Sequence, residues 1–287
     1  MFRRGTLGGS DLPLPGVHAM SSPAAFTGSV PRTYHTYLGP MIFDDYAHDM
    51  ARRLAVREGE RVLELACGTG IVTREIVKTL PKSARLLATD LSAAMLDVAR
   101  TEVADDYRVS YQAVDACELP FADASFDAIA CQYGVMFFPD KVKAMAAARR
   151  VLAPGGRYIF NVWDSLEHNP IPRAVHETLG AMFPTNPIPF LAKMPFGYSD
   201  RSEIERVVQA GGFAKCMTEL VSFPCTAPTA EDAAKAWVEG TPILAGLAER
   251  GVSDPAPVRH AVAKVLAEKF GESPCKSMMR AVVVTAG

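Results

Sequence analysis

The sequence lacks the features by which metal, disulfide and nucleic-acid proteins are usually found. Its six cysteines form no Cys-x-x-Cys pair and have no histidine at ligand spacing, so we expect neither a metal site nor a disulfide framework. The 30 basic and 32 acidic side chains nearly cancel, so no strong field would draw the protein to phosphate backbones. We therefore expect no nucleic-acid partner.

Long apolar runs are also missing. No stretch is long enough to span a bilayer, and Met1-Phe-Arg-Arg4 is followed by no hydrophobic segment that would complete a secretory signal. The sequence thus predicts a cytoplasmic protein that does not insert into membranes. Residues 1–30 are rich in Gly, Pro, Ser and Ala without periodicity, which indicates a flexible leader. A second methionine, Met20, leaves open whether residues 1–20 belong to the native protein.

What is present is an alternation of apolar runs and helical segments, typical of a parallel sheet wrapped by helices. An apolar content of 49% over 287 residues predicts one large core, and we expect one domain with insertions. The predicted strands are 61–66, 85–89, 109–114, 126–132, 157–163, 213–223 and 276–285. The predicted helices are 42–54, 71–80, 92–104, 141–152 and 199–209.

These elements divide the chain into four parts. After the leader, residues 31–163 form the core of the sheet, with the 42–54 helix covering its site. Residues 164–199 carry prolines interspersed with aromatics, and we interpret them as a substrate lid. Residues 200–287 complete the sheet and contain a helical insertion at 229–270.

A glycine-rich loop, Glu64-Leu-Ala-Cys-Gly-Thr-Gly70, joins the first strand to a helix. Gly68 and Gly70 remove side chains where the backbone would pass close to a ligand, and the helix N-terminus offers unpaired N–H groups to a carboxylate. An ordinary strand-to-helix turn remains the alternative. Asp90 favours the ligand interpretation, because it ends the next strand, where a carboxylate can accept hydrogen bonds from ribose hydroxyls. The alternative role for Asp90, an N-cap, suits Ser92 better.

With these motifs in order, the chain resembles the class I S-adenosylmethionine-dependent methyltransferases, in particular the small-molecule enzymes grouped with the quinone C-methyltransferases. The resemblance implies a Rossmann-like, doubly wound α/β fold with a seven-stranded, mostly parallel sheet and an antiparallel last strand. In that family an acidic residue precedes Gly-x-Gly-x-Gly. Here the acid is Glu64, and Ala66 stands at the first glycine position.

The resemblance also implies contacts to S-adenosylmethionine, whose product is S-adenosylhomocysteine. Glu64 and the backbone of Ala66, Cys67, Gly68 and Gly70 would surround the methionine part, and Asp90 would bind the ribose. Leu91 and Met95 would enclose the adenine, with Asp115 and Ala116 bonded to its edge and Cys117 lining the same pocket. The fourth strand would bring Gln132, Tyr133 and Gly134 beneath the sulfonium.

The segment Tyr34-His-Thr-Tyr37 resembles the family's entry segment. An aromatic ring there could stabilise the sulfonium by cation–π attraction, and a role as a simple anchor for Tyr34 and Tyr37 stays open.

Methyl transfer needs alignment and exclusion of water more than a dedicated catalytic group. If the acceptor is a phenol or an activated carbon, a base would help, and the candidates are Tyr133, His168 and His176, each of which could equally be structural. The aromatic lid predicts a small apolar or aromatic acceptor methylated on O, N or C; a homodimer stays open.

Two other functions are weighed against this one. A nicotinamide-dependent oxidoreductase would require Gly-x-Gly-x-x-Gly, whereas these glycines alternate. The second is a catalytically silent protein that only binds the methyl donor.

Overall fold

A single sheet organises the chain, which the computed structural model describes at residues 28–103 and 105–287. Its strands are β1 (Arg61–Glu64), β2 (Arg85–Asp90), β3 (Val109–Ala113), β4 (Phe126–Gln132), β5 (Leu152–Trp163), β6 (Cys216–Ala227) and β7 (Cys275–Ala286). They lie in the order β3-β2-β1-β4-β5-β7-β6, and β7 alone is antiparallel to the direction of the other six strands. The expected seven-stranded sheet with an antiparallel last strand is confirmed.

The sheet is doubly wound, because chain order reverses between β1 and β4. Leu63 pairs with Leu87 on one side and with Ile129 on the other. All three are apolar because the central strands are covered by helices on both faces. The helices of this core are α1 (Val30–Thr33), α2 (Asp44–Leu54), α3 (Ile71–Thr79), α4 (Ala93–Glu102) and α5 (Lys141–Val151).

Six further helices follow the core. They are α6 (Pro170–Met182), α7 (Phe190–Lys193), α8 (Arg201–Ala210), α9 (Ala230–Glu239), α10 (Ile243–Ala248) and α11 (Ala256–Phe270). Helix α11 packs on α6 and α9, and α9 packs on the N-terminal segment. The inserted helices therefore form a layer above the N-terminal segment. The boundaries of a lid at 164–199 and of the insertion at 229–270 stay predictions.

The structure corrects two element boundaries. The N-terminal helix was predicted from residue 42 but begins at Val30, and Tyr34–Phe43 between α1 and α2 is a π-helix. The fifth strand was predicted to begin after a turn at Pro154-Gly-Gly156, yet β5 begins at Leu152. Phe126 pairs with Leu152 and Ala128 pairs with Arg157, so the turn signal marks an irregularity within the strand.

The predicted leader lies outside the described residues, apart from residues 28–30. Within the described part of the chain, no helix combines the length and apolarity needed to cross a bilayer.

Candidate functional site

The carboxyl ends of β1, β2, β4 and β5 open into a cavity of about 420 Å³. Its position follows from the topology, since ligands of open α/β sheets bind where the strand order reverses. The side at β1, β2 and β3 is the polar half. Its lining consists of Ala66, Gly68, Asp90, Leu91, Ser92, Met95, Val114, Asp115 and Ala116. Sequence analysis had singled out seven of these nine, all except Ser92 and Val114, as binding residues.

The loop after β1 is built from left-handed backbone. Ala66, Gly68 and Gly70 have φ angles of 52°, 57° and 82°. A Cβ on Gly68 would meet nothing within 4 Å, whereas a Cβ on Gly70 would stand 2.8 Å from Val103 Cγ2. Gly68 therefore leaves room for a ligand. The expectation that Gly70 does the same is corrected, because its bare backbone makes room for the end of α4.

Asp90 ties this loop to the next one. Its Oδ2 accepts from the backbone N–H of Gly68 at 2.9 Å, and its Oδ1 accepts from the N–H of Ser92 at 2.8 Å. Burial raises the pKa of the Asp90 carboxyl, and the hydrogen bonds act against that rise. Ser92 is the N-cap of α4, as expected, with its hydroxyl accepting from Met95 N–H. The carboxylate keeps free lone pairs at the cavity wall.

Glu64 lies deeper, beside an adjoining small cavity of about 30 Å³ that Cys67 and Thr69 also line. The Glu64 side chain is 1% exposed and accepts a hydrogen bond from Thr73 Oγ1 at 2.7 Å. Burial raises the pKa of Glu64 to about 7. Glu64 is thus a buried acid poised to ionise when a cation arrives.

The loop after β3 places Asp115 and Ala116 in the cavity lining. Asp115 Oδ1 accepts from the backbone N–H of Cys117 at 2.7 Å. Cys117 itself does not line the cavity, because its thiol lies 3.5 Å from Asp140 O. The structure therefore gives no support to the expected contribution of Cys117 to the cofactor pocket, which stays a prediction.

At the end of β4, Gln132, Tyr133 and Gly134 form the middle of the cavity wall. Tyr133 adopts a φ of 54°, and its backbone N–H donates to Asn161 Oδ1 at 3.0 Å. A Cβ on Gly134 would stand 2.5 Å from the Ala66 methyl group, so the loops after β1 and β4 touch. A left-handed tyrosine held in this way is a strained residue at a site.

Tyr133 stacks on Trp163 with ring centroids 3.8 Å apart and planes 11° from parallel. Phe43 stands 5.5 Å from the Tyr133 ring. Trp163 and Phe43 both line the cavity, and sequence analysis missed them. Trp163 was recognisable as the last residue of the fifth strand, at the edge where the other site residues were expected.

The two N-terminal tyrosines behave differently. Tyr34 lines both cavities and stacks on Phe43 at 5.0 Å. Tyr37 lines neither cavity, and Lys235 Nζ on α9 lies 3.2 Å from its hydroxyl and 4.5 Å from its ring centre. Tyr37 is therefore anchored to the inserted helices, and its expected cofactor contact stays a prediction.

The remaining lining is the apolar half, which the N-terminal segment, the turn after β4, β5 and the inserted segments supply. It consists of Leu38, Ile42, Phe43, Met136, Phe137, Phe138, Pro139, Trp163, Phe190, Pro195, Trp237, Thr241 and Pro242. The lid and the second insertion thus both reach the cavity. Trp237 and Thr241 were not foreseen, since nothing in the local sequence separates them from core residues.

The two candidate histidine bases are not in the cavity lining. His168 is exposed, and His176 on α6 has an unpartnered Nδ1 and a pKa lowered by burial. Burial raises the pKa of the third candidate, Tyr133, well above its ordinary value. A protonated phenol accepts no proton and the two histidines lie outside the described cavity lining, so this arrangement does not favour any of the three as a general base, and that role stays a prediction. Among the described residues no cluster could hold a metal ion.

A family model and two curated relatives match this chain in sequence. A family model described as "Methyltransferase domain" matches residues 62–156. The ubiquinone/menaquinone biosynthesis C-methyltransferase of Teredinibacter turnerae is 30% identical over 178 residues, which cover 56% of this chain and 70% of the relative. The demethylmenaquinone methyltransferase of Clavibacter sepedonicus is 39% identical over 108 residues, which cover 38% of this chain and 43% of the relative.

Solved structures show the same fold. The phosphoethanolamine N-methyltransferase 2 of Haemonchus contortus, in complex with S-adenosyl-L-methionine, superposes with a TM-score of 0.58 at 18% identity, over 91% of this chain and 57% of that one. The [4+2]-cyclase SpnF superposes with a TM-score of 0.52 at 19% identity, over 85% of this chain and 80% of that one. At these identities the likeness establishes the fold alone.

Proposed function

Because the chain belongs to the class I S-adenosylmethionine-dependent methyltransferases, we propose that its methyl acceptor is a small, uncharged aromatic molecule bound in the apolar half of the cavity. The observation that carries this proposal is the lining of that half, which includes no carboxylate, ammonium, guanidinium or imidazole among the described residues. A charged acceptor would lose its hydration there without gaining a partner. The stacked Tyr133 and Trp163 rings offer a flat surface to a planar molecule.

The described residues fit the cofactor. Gly68 leaves open space beside the loop, the buried Glu64 stands where the loop begins, and the partly buried Asp90 ends the neighbouring strand β2. We infer that Asp90 binds the ribose hydroxyls and that Glu64 holds the amino-acid end, with Leu91 and Met95 beside the adenine. When bound, S-adenosylmethionine supplies a methyl group on a sulfonium, which is already a good leaving group. The protein itself has to align the acceptor and exclude water.

We infer that the protein supplies no base for this step. The only carboxylates in the described lining are Asp90 and Asp115, both in the polar half. An acceptor oxygen or carbon would therefore lose its proton to solvent, before or after transfer. The Tyr133–Trp163 platform would orient the acceptor and take up no proton.

The names of the relatives suggest the first acceptors to test. One relative is named for ubiquinone and menaquinone biosynthesis, and another for demethylmenaquinone. A hydroquinone fits the apolar half in shape and charge. The family model and the two relatives described above are methyltransferases, and they give no support to a nicotinamide-dependent oxidoreductase.

A labelled methyl donor tests the proposal. We expect transfer of label to short-chain demethylated naphthohydroquinones and benzohydroquinones, and none to the same rings carrying a sulfonate or to phosphoethanolamine. Trp163→Leu should raise the KM for the hydroquinone severalfold and leave the KM for S-adenosylmethionine unchanged, since Trp163 lies in the apolar half. Transfer to the charged compounds alone would overturn the proposal. No transfer to any acceptor, with the methyl donor bound, would favour the silent binding protein.

A further inference from the structure

A chain of polar contacts lies beside the cofactor loop and has no part in the function described so far. His35 Nδ1 lies 3.0 Å from Thr69 Oγ1, and His35 Nε2 lies 3.3 Å from Glu102 Oε2. Arg32 Nη1 also donates to Glu102 Oε1 at 3.0 Å. The three groups of this Glu102–His35–Thr69 chain come from three different elements: the end of α4, the π-helix and the loop after β1.

These contacts join the π-helix beside the site to the loop after β1. Thr69 is 1% exposed and lines the small cavity next to Glu64. Tyr34, which precedes His35, lines both cavities. Gly39 of the same π-helix lies against the start of α3, since a Cβ built on Gly39 would stand 3.1 Å from Ile71 Cδ1. The π-helix is therefore seated on the cofactor loop, and His35 is its polar attachment.

The chemistry of the imidazole sets the direction of the hydrogen bonds. Burial lowers the pKa of His35, against the opposing effect of Glu102, so the ring is neutral at pH 7. With the Glu102 carboxylate accepting from Nε2–H, Nδ1 is the acceptor for the Thr69 hydroxyl. The Thr69 oxygen then keeps its lone pairs for the small cavity. The other charged groups near the ring are Arg32, Asp44 and Arg74.

We propose that His35 is a positioning residue for the cofactor: through Thr69 and Glu102 it fastens the Tyr34–Phe43 helix over the small cavity and so helps to enclose the amino-acid end of S-adenosylmethionine. This inference rests on the cofactor assignment and is independent of the identity of the methyl acceptor. It requires that loss of the His35–Thr69 contact weakens cofactor binding and loosens the π-helix together.

Calorimetry with S-adenosylhomocysteine and hydrogen exchange over residues 34–43 test both consequences. We expect His35→Phe to raise the Kd about tenfold and to speed exchange of the π-helix amides. His35→Asn should restore the Kd to within about threefold of the wild type, because its amide oxygen can accept from Thr69. His48→Phe is the matched control, since His48 lies on the neighbouring helix α2 with its side chain 78% exposed.

The pairing of the residues provides a second measurement. Thr69→Val should raise the Kd about as much as His35→Phe, and the double variant should be no worse than either single one. If His35→Phe does not fold, Thr69→Val and Glu102→Gln carry the same comparison. A Kd within twofold of the wild type for these variants, or effects that multiply in the double variant, would overturn the proposal. Failure of the wild type to bind S-adenosylhomocysteine would instead refute the cofactor assignment.

Discussion

Two acids in the polar region, Asp90 and Glu64, differ in their hydrogen-bond partners. Asp90 accepts from two backbone N–H groups, of Gly68 and Ser92. Glu64 accepts from the hydroxyl of Thr73 and is 1% exposed. Burial raises the pKa of both carboxyls, and it brings the pKa of Glu64 to about 7. Glu64 therefore titrates in the physiological range.

The first prediction concerns the stability of the cofactor-free protein. The pKa of Glu64 is about 7 in the folded protein against an ordinary value of 4.5, so ionisation favours the unfolded chain and stability falls as pH rises between those values. Glu64→Gln removes this fall and keeps an acceptor for Thr73. We expect the variant to be more stable than the wild type at pH 8 by about 3 kcal/mol, and not at pH 4. Chemical denaturation at the two pH values measures the difference.

A control for that experiment is Glu268→Gln, on the exposed face of α11. It should leave the pH dependence of unfolding as it is in the wild type. An unchanged pH dependence in Glu64→Gln would show that Glu64 ionises at its ordinary value. The same variant should bind S-adenosylhomocysteine more weakly at pH 8, because it offers no charge to the ammonium group.

The second prediction concerns Asp90. Asp90→Asn keeps one oxygen for a backbone N–H but loses the charge-assisted bonds to the ribose hydroxyls. We therefore expect the binding free energy of S-adenosylhomocysteine to weaken by about 1–3 kcal/mol. Asp97→Asn on the exposed side of α4 should leave the Kd unchanged. Calorimetry on both variants measures this. Equal affinities would place the ribose elsewhere.

At the scale of elements, the glycine-rich loop combines a binding role and a packing role that its sequence does not separate. Gly68 faces open space, while Gly70 contacts Val103 and Ala99. Both have left-handed backbone, and so does Ala66, although alanine carries a Cβ. The loop is therefore held in shape by its neighbours and not by its glycines alone.

The third prediction separates these roles. Gly68→Ala should cost about 1 kcal/mol of stability, for the left-handed backbone, and should raise the Kd for S-adenosylhomocysteine at least tenfold by filling ligand space. Gly70→Ala should cost about 3 kcal/mol, because its Cβ would overlap the end of α4. Denaturation should therefore rank Gly70→Ala as the less stable variant, and calorimetry should rank Gly68→Ala as the weaker binder. The same ranking in both measurements would contradict the assignment.

The sequence predicts those elements best whose pattern is local. Strands such as Phe126–Gln132 were predicted to the residue, because they are short apolar runs bounded by turn signals. The start of β5 was not, since Pro154-Gly-Gly156 has the chemistry of a turn and the pairing of Phe126 with Leu152 is not visible in the sequence. The π-helix was likewise missed, because its register depends on its packing against α9 and the cofactor loop.

At the scale of the molecule, most residues of the polar half were predicted from motifs, whereas for the apolar half only the substrate lid at 164–199 was predicted and not the individual residues. Asp90 and Asp115 follow from strand ends that any parallel sheet gathers at one edge. Trp237 and Pro242 reach the same cavity from an insertion whose packing is fixed only in the complete fold. Cys117 shows the converse, since proximity in sequence to Asp115 did not bring its thiol to the cavity.

That division leads to the fourth prediction, about the pH dependence of catalysis. No ionisable side chain is among the described residues of the apolar half, so we expect the proton of a phenolic acceptor to leave without a protein base. At saturating S-adenosylmethionine, which removes the effect of Glu64 on cofactor binding, the methylation rate should rise about tenfold per pH unit up to the acceptor's own pKa. For two hydroquinones with different pKa values, the rising limbs of the two pH–rate profiles should then be displaced along the pH axis by that difference.

Variants of the former base candidates sharpen the test. His168→Ala and His176→Ala should keep the position of each limb, because both side chains lie outside the cavity lining. Tyr133→Phe should keep it as well while preserving the stack on Trp163. The contrary result is a rising limb of the pH–rate profile that stays at one pH for both acceptors and that moves or vanishes in one of these three variants. That result would identify a protein base and require the apolar half to rearrange during turnover.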